Sequence, residues 1–181
     1  MNDKKHWRQY CRQERLRLVQ ERGRSEQMIE RLCTLLVEIN PRSVGLYSAM
    51  RGEVDVAPAL LQWAERRGVQ LALPFVYKET RSMCYRLWSS ESPLVKDTAG
   101  ITASIGEECV PEVVVAPCVG YSTEGWRLGN GGGYFDRWMS DHPNIRAIGL
   151  AFEELVVPAT LFEPFDLPMH WIVTESRVRY F

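Results

Sequence analysis

An α/β fold, with an open, largely parallel sheet and helices on both faces, is predicted by three observations on this 181-residue sequence. Short apolar runs suited to strands alternate with stretches of helical periodicity, the order that builds parallel sheets. The most apolar run, residues 113–116 (VVVA), marks a buried strand. A glycine-rich segment follows it and opens a helix. In a three-layer, Rossmann-like sheet, ligands bind at such places, beyond the carboxyl ends of the strands.

Each element has its own warrant. Residues 4–22 read as a polar, basic N-terminal helix. Residues 25–38 read as a second helix, with Met28, Ile29, Leu32, Leu35 and Leu36 at helical spacing. Gly23 separates the two, Ser25 is the expected N-cap, and Pro41 follows the second. Residues 44–47 suit a short strand, and residues 57–67 an amphipathic helix ended by Gly68. Residues 70–74 form a strand that is expected to stop at Pro74, and residues 84–88 another. Residues 89–108 read as a long connection of weak structure. Residues 133–140 should be a helix opened by the glycine loop. Residues 145–152 and 170–174 complete the strands.

The length fits one domain spanning residues 1–181. With 45% hydrophobic and 25% charged residues, a globular core is expected rather than disorder. The formal net charge of −1 gives no global attraction to nucleic acid, although residues 1–24 alone carry +5. No apolar run approaches a membrane span, and no signal peptide is visible, so a cytoplasmic monomer is the expectation. Five cysteines without a CxxC pair favour reduced thiols over a disulfide framework or a zinc site. His6, His142 and His170 have no partners at ligand spacing, so histidine–metal and histidine–nucleophile chemistry are not expected.

The most informative segment is RLGNGGGYFDR at 127–137. Glycines at 129, 131, 132 and 133 let the backbone turn through positive φ and approach a ligand closely. Exposed N–H groups in such a turn, feeding a helix start, make an anion site. A glycine-rich stretch alone is more often a tight turn, and this one has neither the Lys-Ser/Thr ending of a P-loop nor a GxGxxG pattern. Its distinguishing feature is the flanking charge. Arg127 opens it, and Asp136 would meet a phosphate only through a cation, which suggests Mg²⁺. Lys4, Arg8, Arg12 and Arg15 fall on one face of the first helix, a stripe that could neutralise a triphosphate or simply face solvent.

Four blocks in order resemble the 5-formyltetrahydrofolate cyclo-ligase family. They are KKHWR at 4–8, YSAMRGEVD at 47–55, GYSTEGWRLGNGGGYFDRW at 120–138 and FEPFDLPMHWIVTE at 162–175. The resemblance covers nearly the whole chain. It implies an ATP-dependent cyclisation of 5-formyltetrahydrofolate to 5,10-methenyltetrahydrofolate, with release of ADP and phosphate. It implies ATP contacts at Lys4, Arg8, Arg127, Leu128, Gly129, Asn130, Gly131, Gly132, Gly133, Tyr134 and Phe135. Arg127 and Tyr134 carry over as catalytic residues, Ser48 and Glu53 as folate contacts, and Asp136 and Asp166 as Mg²⁺ ligands. Glu53 is expected in an exposed turn, and Trp126 and Trp138 could wall the site. The partners implied are small molecules, with no nucleic acid and no membrane. The sequence departs from the family pattern at Val56, Phe75, Phe165 and the GITAS stretch from Gly100. These departures keep open a second reading, a catalytically weak or inactive paralogue that binds nucleotide or folate.

Overall fold

The computed structural model describes residues 3–181. In chain order the elements are α1 (Lys4–Leu18), α2 (Arg24–Ile39), β1 (Ser43–Gly45), α3 (Ala57–Glu65), β2 (Gln70–Tyr77), β3 (Ser82–Trp88), β4 (Leu94–Lys96), β5 (Thr102–Ser104), β6 (Glu108–Cys109), β7 (Val113–Pro117), β8 (Gly120–Tyr121), β9 (Arg127–Leu128), α4 (Tyr134–Asp141), β10 (Arg146–Leu150), β11 (Trp171–Val173) and β12 (Val178–Tyr180). The main sheet has the order β12-β11-β10-β7-β1-β2-β3-β6. Strands β2, β1, β7, β10 and β11 run parallel at its centre, and β12, β3 and β6 pair antiparallel at its flanks.

Side chains of successive strand residues point to opposite faces, and the two faces differ in size of residue. Val113, Val115, Leu71, Leu73, Ile148 and Leu150 pack with Leu18, Met28, Leu32, Leu36 and Leu60 from α1, α2 and α3. Ala72, Val114, Ala116 and Ala147 pack with Trp138 and Met139 of α4. The second face leaves room for a large ring. Tyr85 is fully buried there, and a Cβ on Gly45 would fall 2.7 Å from it. Helices therefore cover both faces, as the sequence predicts.

Several boundaries differ from expectation. The first helix ends at Leu18 rather than at residue 22, because Gln20 and Glu21 already bond three residues back, to Arg17 and Leu18. Gly23, at φ 85°, is the N-cap of α2; Ser25 lies inside the helix and caps nothing. Strand β2 runs through Pro74 to Tyr77. Its partner β1 ends at Gly45 opposite Ala72, so on that side Pro74 stands on a free edge where no N–H is needed. The connection at 89–108 contains a hairpin, β4 paired with β5. Buried Asp97 fixes its turn by accepting from the N–H groups of Val76, Ala99 and Ile101. No helix among the described residues is long and apolar enough to cross a membrane.

Candidate active site

Beyond the carboxyl ends of β1 and β7 lies a cavity of about 560 Å³, the size of a small-molecule site. One wall is the glycine loop, residues 129–133, with Arg127, Lys4 and Arg8. The lining also includes Glu53, Ser48 and Met50, with Pro74, Val76, Met83 and Ile101. Both ends predicted from sequence thus share one space.

The loop's shape follows from its hydrogen bonds. Gly131 (φ 99°) and Gly133 (φ 69°) adopt left-handed conformations that side chains resist. The Tyr134 ring packs so close to Gly132 that a Cβ there would lie 2.8 Å away. Loop carbonyls are taken by arginines: Arg8 Nε donates to Gly129 O (2.9 Å), Arg12 Nη2 to Asn130 O (2.8 Å) and Arg137 Nη2 to Gly132 O (2.8 Å). The N–H groups of residues 129–133 have no acceptor among the described residues. Backbone donors are seldom left unpaired. A row of them before the start of α4, beside cations, is an anion cradle.

Arg127 is held at the edge of that cradle with its side chain only 4% exposed. It donates to Asp136 Oδ1 at 2.8 Å and lies 5.6 Å over the Phe135 ring, while its buried Nε has no partner. Lys4 Nζ pairs with Asp166 at 2.6 Å, more weakly with Glu163 at 3.4 Å, and sits 5.7 Å from each of the Phe162 and Phe165 rings. Burial and neighbouring Arg12 lower the proton affinity of Arg8 from its ordinary value, against the pull of Asp166 and Asp136.

At the other end, Glu53 sits in a tight turn whose Arg51 and Gly52 have positive φ. The turn is exposed at Met50 and Arg51, as expected, but the Glu53 side chain is not. Glu53 is 9% accessible and accepts from Arg15 Nη1 (3.3 Å), Asn130 Nδ2 (3.0 Å) and the Met50 N–H (2.9 Å). Its carboxylate therefore ties α1, the glycine loop and the β1–α3 connection together. Tyr47 braces the same connection by donating to Val54 O at 2.6 Å. Ser48 Oγ donates to Thr102 O in the β4–β5 hairpin.

Two expectations are corrected. Trp126 and Trp138 do not wall the cavity: Trp126 stacks on Phe162 at 5.9 Å, and Trp138 is buried against Tyr85 and His142. The basic stripe of α1 is not wholly available to phosphate either. Arg15 is buried on Glu53, and Arg12 holds the loop from outside. Sequence reasoning missed Asn130 as the link from the loop to Glu53, and it missed the apolar wall of β2 and β3. Nothing local marks the first. The second is visible only as alternation along 82–88. Cys118, at the exit of β7, does not line the cavity, and burial pushes its thiol up to about 12.

Asp136 and Asp166 both line the cavity, each with one oxygen engaged by a cation and one without a protein partner. Among the described residues no group of three or more His, Cys, Asp and Glu converges to hold a metal. That donor set suits Mg²⁺ carried in by phosphates, which takes one or two carboxylates from the protein, rather than a resident ion.

Residues 1–175 match the 5-formyltetrahydrofolate cyclo-ligase family. The chain belongs to that family. The 5-formyltetrahydrofolate cyclo-ligase of Escherichia coli is 26% identical over 168 residues, covering 88% of this chain and 92% of that protein. The cyclo-ligase of Haemophilus influenzae is 24% identical over 165 residues, covering 85% and 87%. The NMR structure of Aquifex aeolicus 5,10-methenyltetrahydrofolate synthetase superposes with a TM-score of 0.80 at 28% identity, covering 98% of this chain and 92% of that one. The Mycoplasma pneumoniae synthetase reaches 0.79 at 18% identity, covering 96% and 99%, and shows the shared fold. The cyclo-ligase family's departures can now be placed. Phe75 lies under Arg86 and against Tyr77, and Val56 is buried in the core; neither lines the cavity. In the GITAS stretch Gly100 turns the β4–β5 hairpin and Ile101 lines the cavity, as does Phe165.

Proposed function

We propose that this cavity binds ATP and 5-formyltetrahydrofolate side by side and closes the folate to 5,10-methenyltetrahydrofolate, releasing ADP and phosphate. The observation that carries the reading is the meeting, in one cavity, of five loop N–H groups without an acceptor among the described residues and the half-satisfied Arg127 guanidinium with the carboxylate of Glu53.

The chemistry needs an activated oxygen. A formamide oxygen leaves poorly, and N10 of the folate is a weak nucleophile toward the formyl carbon. Transfer of the γ-phosphoryl group to that oxygen forms an O–P bond as the bond to ADP breaks. N10 then attacks the carbon, the ring closes, and the C–O bond breaks to release phosphate, which departs with the proton lost from N10. Phosphoryl transfer spreads negative charge over the transferred group, so the protein's contribution is positioning and fixed positive charge. Lys4, Arg8, Arg127 and the backbone of Leu128, Gly129, Asn130, Gly131, Gly132 and Gly133 hold the triphosphate. Phe135 supports Arg127 from below, and Tyr134 stands where nucleotide and folate meet. Asp136 and Asp166 would hold phosphate-borne Mg²⁺, which supplies further neutralising charge. Ser48 and Glu53 orient the pterin. Glu53 has about four acceptor sites and three are taken, so one pterin N–H can be accepted without disturbing Asn130. Holding both reactants in register lowers the barrier by up to about 7–11 kcal/mol. Every assigned residue comes from one chain, so a monomer suffices, and five free thiols suit the reducing cytoplasm.

The test is a turnover assay with both substrates, following methenyl absorbance. Absorbance should rise only when ATP, Mg²⁺ and 5-formyltetrahydrofolate are all present. A flat trace with demonstrable binding of either ligand would favour the binding-only reading.

A further inference from the structure

One large aromatic side chain at the cavity has a free face. Phe165 lines the cavity yet is 68% exposed, the most exposed of the large hydrophobic residues. Exposed apolar surface of that size at a binding site is surface a ligand can cover. Its neighbour Phe162 is different, because one face of that ring is stacked on Trp126 at 5.9 Å and 18°. Phe165 has no aromatic partner among the described residues. Its ring is placed by Lys4, whose ammonium lies 5.7 Å from the centroid and is itself fixed on Asp166, the next residue in the chain.

We propose that Phe165 is the platform on which the nucleobase of ATP stacks, and that it sets the protein's grip on the nucleoside half of that substrate. This rests on the glycine loop being the triphosphate site. The ring stands at the α1 end of the cavity with Lys4 and Asp166, and Asp166 is close enough to Arg8 to act on its charge. The pterin has an apolar wall of its own in Val76, Met83 and Ile101 beside Glu53 and Ser48. At the Lys4 end, Phe165 supplies the flat apolar surface that a base requires. Stacking accepts any flat ring, so the platform confers tightness without strong choice between purines.

The experiment compares the full chain with Phe165→Ala and Phe165→Tyr. Binding of ATP and of inorganic tripolyphosphate is measured by calorimetry, and the KM of each substrate by turnover. Phe165→Ala should weaken ATP between about fivefold and a hundredfold, the range for loss of one base–aromatic stack. Tripolyphosphate binding and the KM for 5-formyltetrahydrofolate should stay unchanged, and Phe165→Tyr should restore ATP affinity. Equal loss for ATP and tripolyphosphate would show that the ring acts only through Lys4. A shift confined to the folate KM would place the pterin on it, and unchanged ATP affinity would leave it without a ligand. Each of these overturns the inference. Wild-type protein that binds neither ATP nor tripolyphosphate is a separate failure, that of the triphosphate site itself.

Discussion

Glu53→Gln is an isosteric change at the junction of the whole site. The Arg15 and Glu53 side chains are only 4% and 3% exposed, and the carboxylate's three hydrogen-bond partners among the described residues are donors: Arg15, the Asn130 amide and the Met50 N–H. A glutamine keeps one acceptor oxygen but turns its NH₂ toward a donor whichever way it is placed. With the amide oxygen in the Oε1 place, Arg15 and Asn130 keep a neutral acceptor while the NH₂ faces the Met50 N–H. The other acceptors of Arg15 are carbonyls, Arg51 O at 3.0 Å and Cys118 O at 3.5 Å, so its charge loses its counter-ion. Removing one partner of a buried pair costs about 3–5 kcal/mol, and the retained oxygen puts this variant near the lower end. At about 2–4 °C per kcal/mol for a chain of this size, the thermal midpoint should fall by roughly 6–12 °C. Calorimetric or fluorescence-monitored melting measures it. The functional signature is wider than a folate contact alone would give. The KM for both substrates should rise, because the anchor of Asn130 is weakened from a carboxylate to a neutral oxygen shared with Arg15, whereas Asn130→Ala should raise mainly the KM for ATP. A midpoint within about 1 °C of wild type would refute the buried-pair argument, since that margin is under half a kcal/mol. An unchanged ATP KM in a folded Glu53→Gln would refute the coupling through Asn130.

Arg127→Ala should raise the KM for ATP or abolish turnover, with a loss of about a hundredfold or more in kcat/KM, as for other fixed charge stabilisers; unchanged kinetics would remove Arg127 from the site. Asp136→Asn should shift the Mg²⁺ dependence of turnover to higher concentration, and overlaying titration curves would end the metal assignment. It should also cost about 1–3 kcal/mol of stability, because Arg127 loses its carboxylate. His170 is exposed overall, yet its ring accepts from the Ala147 N–H at 3.1 Å, and partial desolvation there, with Arg146, depresses its proton affinity below the ordinary 6.5. A histidine whose folded pKa is lowered contributes stability that is complete above its unfolded value and is lost as pH falls through the folded one. The melting midpoint should therefore drop as the pH falls below about 6.5, by a modest amount for a group this exposed, and His170→Asn, which keeps an acceptor, should flatten that part of the profile. An identical slope in the variant would assign the acid loss to other groups.

Much of the scaffold could be read residue by residue. The helical spacing of Met28, Leu32, Leu35 and Leu36 survives as the buried stripe of α2, and the apolar run at 113–116 is the central strand β7. Periodicity reports the burial of a face, so it fails where an element is short or its neighbours set its limits. Strands β8, β9 and β12 escaped notice because two or three residues carry no period. Pro74 misled because a proline's missing donor matters only if a strand lies on that side, and β1 stops short of it.

By itself the sequence determined which chemistry could occur: a glycine segment that can bare its amides, the cations and acids around it, and an order of strands that sets this segment at the carboxyl edge of a sheet. These depend on backbone freedom, charge and local periodicity, which neighbours in the chain specify. Only the tertiary structure decided which charges remain for a ligand. Arg12 and Arg15 share a helical face with Lys4 and Arg8, yet Arg15 is spent inside the protein on Glu53 and Arg12 on Asn130. Partners 38 and 118 residues apart are chosen by packing, because desolvating a charge is tolerable only where the fold brings an acceptor to it.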